Sequence, residues 1–455
     1  MKNGILEKQE NKNKSLEENI KKKITFEGYY YIDDESLISN ELKQEYNYKD
    51  GFIFKKNSNI IFKKITSLCD FINYIPKQET NYGSEHQIFY RGHFNINYIS
   101  EPGVFRDNYY EKEYDMYQEL LIRCQNDFKD CHTHFDYLKL MQHYGLPTRL
   151  LDITLNPLVA FYFACTGNSN NMGEVIVYKI DKSEIKNERS DALTMISCLP
   201  RFKKNDQSKL YILYKLLEYR TSIEICQKNI SNVRQILNIN KTDQILENIE
   251  KSIEVQLKEI KNIKISKNKK EYEFNGYEYK LQKDEDLFLN KNKLLKKLLK
   301  NNNDLKKTSD ENKINNKLLK IIEDVNNIIA TDNIKLRLLN EINIEKPAFT
   351  DRINPLDIFG TNIVMAGRNN SRIYNQQGAF VAFGLPSYKF DETYKDYTNP
   401  IDTYRYKEHG IKTIFYIDKS KKENILSELA NVGINKSFIY PEIDDVADDI
   451  KNQYK

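Results

Sequence analysis

TRLLDITLNPLVAFYFAC, running from Thr148 to Cys165, decides how the rest of the chain is read. Its first half is an apolar strand. Asn156-Pro157 then marks a helix start: asparagine can accept a hydrogen bond from a free N–H, and proline at the first helical position loses no bond. Val159-Ala160-Phe161-Tyr162-Phe163-Ala164 continues as an apolar helix. Just upstream, HFDYLKLMQHYG predicts another helix, with Phe135, Leu138 and Met141 sharing a face suited to packing over a sheet and Gly145 as its stop.

Outward from this unit the same alternation recurs. IFYRG, ending at Gly92, reads as a strand, followed by the helix YYEKEYDMYQELLIRCQNDF. GEVIVYKID, TNIVMAG, QQGAFVAFG and IKTIFYID read as later strands, and ENILSELANVG and DDVADDIK as closing helices. The pattern implies an α+β fold: a mixed sheet with flanking helices, in one discontinuous domain whose parts are residues 67–205 and 346–455. Between them, 206–345 has a different texture. Leu246, Ile249, Ile253, Ile260 and Ile263 follow steps of three and four, interrupted at Gln256, which predicts a coiled-coil-like helical insertion. Asn275-Gly276 between YEF and YEY predicts a small β-hairpin tip, since both turn positions accept positive φ. Residues 1–23 lack apolar periodicity and are expected to be a disordered or frayed helical lead-in; 24–66 is expected to be a small β-rich segment.

Composition narrows the function classes. The 455 residues are 40% hydrophobic, and 70 Lys and Arg against 66 Asp and Glu leave a net charge of only +4. No global basic field exists for nucleic acid, and the Lys-rich KNKLLKKLLKNNN reads better as the solvated side of a helix. No apolar run approaches the roughly 20 residues of a membrane span, and the amino terminus is polar, so a cytoplasmic location is expected. Six scattered cysteines contain no CxxC pair and are expected to be reduced. Cys124, Cys131, His132, His134 and His143 match no zinc spacing, so no metal site is expected. A P-loop, a GxGxxG turn and a serine nucleophile elbow are all missing.

The polar residues of the central unit carry what chemistry the sequence offers. Arg91 ends a strand beside Gly92, where another backbone or a ligand can approach closely; its guanidinium can clamp a phosphate or carboxylate, or else pair with a carboxylate such as Asp152. His143 can serve as general base or donor, or else cap a helix end. Asp152 and Thr154 can orient that histidine or bind ligand, or else only cap the following helix.

Tyr90-Arg91-Gly92-His93, Pro102 with Phe105-Arg106, the run Gln142 to Asp152 and Asn156 to Ala160 together resemble the FRG domain family, named for its [FY]RG motif. The resemblance continues through Ser190-Asp191, Leu199-Pro200, Arg372, Gln376 to Phe380 and Phe438 to Asp445, covering about Leu68 to Ile450 without the insertion. It implies positions rather than a mechanism. The order of strand, Arg-Gly, later strand and apolar helix also looks like mono-ADP-ribosyltransferases, where an arginine holds the nicotinamide dinucleotide and a late strand supplies a glutamate. This chain departs from that pattern, with Thr148-Arg149-Leu150 in place of Ser-Thr-Ser and Gln376-Gln377-Gly378 where the glutamate belongs. Another acid, for example Glu101 or Glu113, would have to take its place.

The leading expectation is a pocket for a nucleotide or other phosphate-bearing ligand, with NAD a candidate, in an ADP-ribosyltransferase-like bacterial toxin or phage-defence effector. Tyr90, Arg91, Gly92, Thr148, Arg149 and Thr154 would bind ligand there; His143, Asp152 and Gln377 would carry any chemistry. The alternative is a non-catalytic sensor or interaction module that contacts a protein partner through residues 206–345, and nucleic-acid binding comes third.

Overall fold

The computed structural model describes residues 2–76, 85–168, 170–211, 213–214, 217, 263–265, 271–274, 277–280, 333–349, 355–367, 370–386 and 400–454. A mixed sheet of nine strands flanked by helices forms the centre of an α+β architecture. Its order is β14 (Lys407–Glu408), β15 (Ile411–Ile417), β7 (Gly173–Asp181), β5 (His86–His93), β6 (Leu150–Thr154), β13 (Gly378–Phe383), β12 (Thr361–Met365) and β8 (Ile185–Lys186). β4 (Ile60–Ile65) also pairs with β15. Neighbours run antiparallel except β4 with β15 and β12 with β8.

Period-two alternation sends Phe89, Leu151, Ile153, Ile176, Tyr178 and Val381 to one face, where they pack with α7 (Asp191–Ser197) and α8 (Asn333–Glu345). The other face is divided. Ile88, Tyr90, Val175 and Val177 meet α3 (Leu68–Tyr74), α6 (Pro157–Cys165) and α10 (Lys422–Asn431). Leu150, Val364, Phe380 and Ala382 instead meet α4 (Glu113–Arg123) and α5 (His134–His143). This division creates the space considered below.

The amino-terminal expectations are corrected in two respects. α1 (Lys2–Glu27) is one helix, and the end of the supposed lead-in is anchored: Ile20 and Ile24, four apart, pack with Ile32, Ile38, Leu42 and Ile53. Residues 24–27 are therefore helical, and the first strand, β1 (Tyr29–Tyr31), starts only after Gly28, whose φ of +89° ends the helix. β1 joins β2 (Tyr46–Lys49) and β3 (Phe52–Lys55) in a separate antiparallel sheet. A buried ion network ties α1 to the main sheet. Arg405 donates to Glu174 at 2.7 Å and to Glu27, and Lys23 lies 3.9 Å from Glu27.

The segment set apart as an insertion contributes to the core at both described ends. Leu210, Tyr211, Leu213, Tyr214 and Leu217 on one side, and Ile334, Leu338 and Ile342 on the other, share a cluster with Phe89 and Ile176. β9 (Ile263–Ile265), β10 (Glu271–Phe274) and β11 (Tyr277–Lys280) form a small antiparallel sheet in which Phe274 lies opposite Tyr277. The helical seam from Leu246 to Ile260 and the Asn275-Gly276 pair lie outside the described residues. Among the described residues, no helix is long and apolar enough to cross a membrane.

Candidate functional site

β5 and β6 are paired at only one position, Tyr90 opposite Thr154, whereas β6 holds five successive partners on β13. Where the two strands part, the helices on that face part as well. A cleft of about 500 Å³ opens there, walled by Val159, Ala160 and Phe163 on one side and by Leu140, Ile373 and Phe380 on the other. Tyr90, Arg91, Gly92, Asp152, Thr154, His143 and Gln376 all line it.

Gly92 is explained by packing. A Cβ there would stand 2.0 Å from the Ala160 carbonyl oxygen and 2.6 Å from the Ala164 nitrogen, so the backbone of α6 lies directly on β5. Tyr90 anchors the floor, its hydroxyl donating to the Pro76 carbonyl at 2.8 Å, and burial pushes its pKa up to about 12.

Arg91 does not pair with the Asp152 carboxylate. Its Nη1 donates to the Asp152 main-chain carbonyl at 2.5 Å, and its Nε donates to His93 Nε2 at 3.0 Å. The guanidinium thus occupies the gap where ladder bonds between β5 and β6 would otherwise run. The Asp152 side chain stays exposed within the cleft. His143, at the end of α5, is half-buried with Nε2 3.7 Å from a Glu442 oxygen. Burial, together with nearby Arg372, lowers its pKa against the opposing pull of Glu442, so the ring is neutral near pH 7.

Thr154 mainly organises backbone: its hydroxyl donates to the Gln376 carbonyl and accepts from Asn156 N–H at 2.9 Å. The structure places three expected site residues elsewhere. Arg149 is fully buried and donates to Glu113 through Nε at 2.9 Å and through Nη2, with Nη1 bonded to the Phe383 and Gly384 carbonyls. Its charge is spent internally, because a guanidinium with no exposed surface requires a carboxylate. Thr148 is buried and donates to Gln142. Gln377 caps its helix in a left-handed conformation, φ 46°, with its carbonyl accepting from Leu155 N–H at 3.1 Å. Gln376 faces the cleft instead, and its amide donates to the Ile439 carbonyl at 2.9 Å.

Neither acid proposed as a late-glutamate substitute reaches the cleft. Glu113 is held by Arg149, and Glu101 is buried with its carboxylate 3.8 Å from Lys22.

Sequence reasoning missed Arg372 and Lys139 as cleft residues. Arg372 lies on α9 (Ser371–Gln376), its guanidinium 4.6 Å from the Tyr440 ring centre; the i, i+4 spacing of Arg372 and Gln376 was the available signal. Lys139 is compensated by Asp136 at 3.0 Å and Glu188 at 2.8 Å. Among the described residues, neither Arg91 nor Arg372 has a carboxylate within the 4.0 Å of an ion pair. Cys131 also lines the cleft, but burial first, and then the charge of Asp136, push its thiol up to about 11, far from a reactive thiolate. Among the described residues, no cluster of His, Cys, Asp and Glu is arranged to hold a metal ion.

With this geometry in place, a family model for the FRG domain matches residues 86–172. This is an FRG-domain protein. The match starts with the first residue of β5 and runs through α4, α5, β6 and α6. The FRG region therefore supplies β5 and β6, the two strands that part, with Arg91, His143 and Asp152, while Arg372 and Gln376 come to the same cleft from later in the chain. No curated protein and no solved structure matches the chain. The likeness to mono-ADP-ribosyltransferases gains no support from these comparisons.

Proposed function

We propose that the cleft beside the FRG motif binds a phosphate-bearing ligand of the nucleotide class. The observation that carries this reading is the pair of guanidinium groups, Arg91 and Arg372, that line one cleft with no carboxylate in ion-pair contact among the described residues. Arginine remains charged, and its planar fork suits phosphate oxygens. Elsewhere the buried arginines are neutralised from within, Arg149 by Glu113 and Arg405 by Glu27 and Glu174. The free Asp152 carboxylate offers an acceptor to sugar hydroxyls. Phe163 and Tyr440, packed edge to face at 6.3 Å, add aromatic surface near Arg372.

Thermal-shift and calorimetric titrations with ADP, ATP and NAD test this. A ligand at a hundredfold excess over its Kd stabilises the fold by about 2.7 kcal/mol. The double variant Arg91→Gln/Arg372→Gln is expected to lose that gain. No shift with any of the three would sink the reading. Nicotinamide release, followed in the NAD titration, separates turnover from binding alone.

A further inference from the structure

We propose that His93 is the positioning residue that fixes the Arg91 guanidinium at the cleft, acting as a buried neutral acceptor for its Nε–H. The consequence for ligand binding rests on the function proposed above; the hold on Arg91 does not.

His93 and Arg91 are two apart on β5 and therefore share a face of the strand. The Arg91 side chain is bonded at two points: Nε to His93 Nε2 at 3.0 Å and Nη1 to the Asp152 carbonyl at 2.5 Å. An acceptor at Nε2 places the ring proton on Nδ1. That Nδ1 is buried without a partner, and His93 is only 4% exposed. A histidine placed there for packing alone would leave both nitrogens to be satisfied; this one meets its cost on one side through the motif arginine.

The surroundings hold the ring neutral. Burial and then Arg91 lower its pKa well below 6.5; Lys23 on α1 and Arg106 act in the same direction, and Glu27 opposes them. Protonation would remove the acceptor and set two cations against each other. The ring is also held from outside the strand. Tyr98 packs edge-on against it at 6.2 Å, and the loop bearing Tyr98 is clamped by α1: Lys23 donates to the Tyr98 carbonyl, and Glu27 accepts from Ser100 N–H at 2.6 Å. The amino-terminal helix thus supports the motif arginine through one histidine. The remaining Arg91 N–H groups are left to the cleft.

The test uses the full chain labelled with ¹⁵N-arginine, the Arg91 Nε–H being assigned by its loss in Arg91→Lys. In the wild type this proton is expected to be resolved and slow to exchange. In His93→Leu it is expected to merge with the solvent-exposed arginines, and ADP affinity to fall by about tenfold, since misplacing a preorganised group weakens what it contacts. His93→Gln keeps a side-chain acceptor and a fold to measure should the leucine variant unfold, and is expected to restore much of both signals. An Arg91 Nε–H equally protected in His93→Leu would overturn the inference, as would loss of protection with unchanged ADP affinity. A wild type that binds no ADP but whose protected Nε–H is lost in His93→Leu would sink the proposed function while confirming the hold of His93 on Arg91.

Discussion

Two sets of arginines sit in this molecule under opposite rules. Arg149 and Arg405 are buried, and each is matched by carboxylates, Arg149 by Glu113 and Arg405 by Glu27, Glu174 and Asp402. Arg91 and Arg372 are half-buried along the cleft with no carboxylate in ion-pair contact among the described residues, the Asp152 charge acting on Arg91 only from beyond that distance; they rest on a carbonyl, a histidine and an aromatic ring. Charge balanced inside a fold locks elements together, whereas charge left unbalanced at a cavity wall is available to something that enters. The difference separates a structural from a ligand-facing role for the same side chain, which residue type cannot do.

Breaking the structural set is expected to have the largest effect. Glu113→Ala strands Arg149 without its carboxylate, and Glu27→Ala removes one partner of Arg405. Breaking one side of a buried pair costs about 3–5 kcal/mol, to be read by urea denaturation. A cost below about 1 kcal/mol would show that water reaches these pairs and would erase the contrast with the cleft. Next comes Gly92→Ala. Its methyl group has no room against the Ala160 carbonyl oxygen at 2.0 Å, so α6 must move off β5. Overpacking of this kind costs about 1–3 kcal/mol, and the displaced wall should also weaken ADP binding.

Acid should resolve two stages. His93 is held neutral in the fold with a pKa well below 6.5, through burial and Arg91, while in the unfolded chain it binds a proton below about that value. Stability is therefore complete above pH 6.5 and lost as pH falls below it, with a slope of up to about 1.4 kcal/mol per pH unit for one group. His143, also lowered, adds in the same sense. Burial alone would raise Glu27, but Lys23 and Arg405 bring it well below 4.5, so a second loss begins as pH falls past that value. Urea midpoints from pH 7.5 to 3.5 measure both stages. His93→Leu should make the first shallower, leaving the His143 share, and should leave the second; an unchanged first stage would assign it to other groups.

The sequence disclosed the outline of this arrangement but not its pairing. Period-two strands, the Asn156-Pro157 helix start and the α+β alternation are local properties and appear in the structure as expected. Arg91, His143 and Asp152, from separate blocks of the sequence, line one cleft. What stayed hidden depended on distant partners. Nothing local distinguishes Arg149 from Arg91; only the burial of Glu113, 36 residues away in sequence, does so. Gln377 lost its expected place to Gln376 because the helix ends in a left-handed turn that sends successive side chains in different directions. The end of the amino-terminal helix was misread because Ile24 and Phe26 carry strand-like texture, while Gly28 decides where the helix stops.

The smallest effect on stability tests the comparison most directly. Arg91→Gln and Arg372→Gln each remove a charge with no carboxylate to leave behind, so no buried anion is orphaned. Glutamine can still donate one hydrogen bond, to the Asp152 carbonyl in the first case, and in the second its amide can lie on the Tyr440 ring. Arg372→Gln should fall within about 0.5 kcal/mol of wild type, as changes away from paired buried groups usually do, whereas Arg91→Gln also leaves the buried His93 Nε2 without its donor and should cost about 1–3 kcal/mol. A shift upward would mean that the empty cleft carries unfavourable charge kept for its ligand. Both variants should nonetheless lose ADP binding, decoupling function from stability where the Glu113 and Glu27 variants destroy both together. If Arg372→Gln instead destabilised the chain by several kcal/mol, its guanidinium would belong with Arg149 and Arg405, and the cleft would keep Arg91 as its one free guanidinium among the described residues.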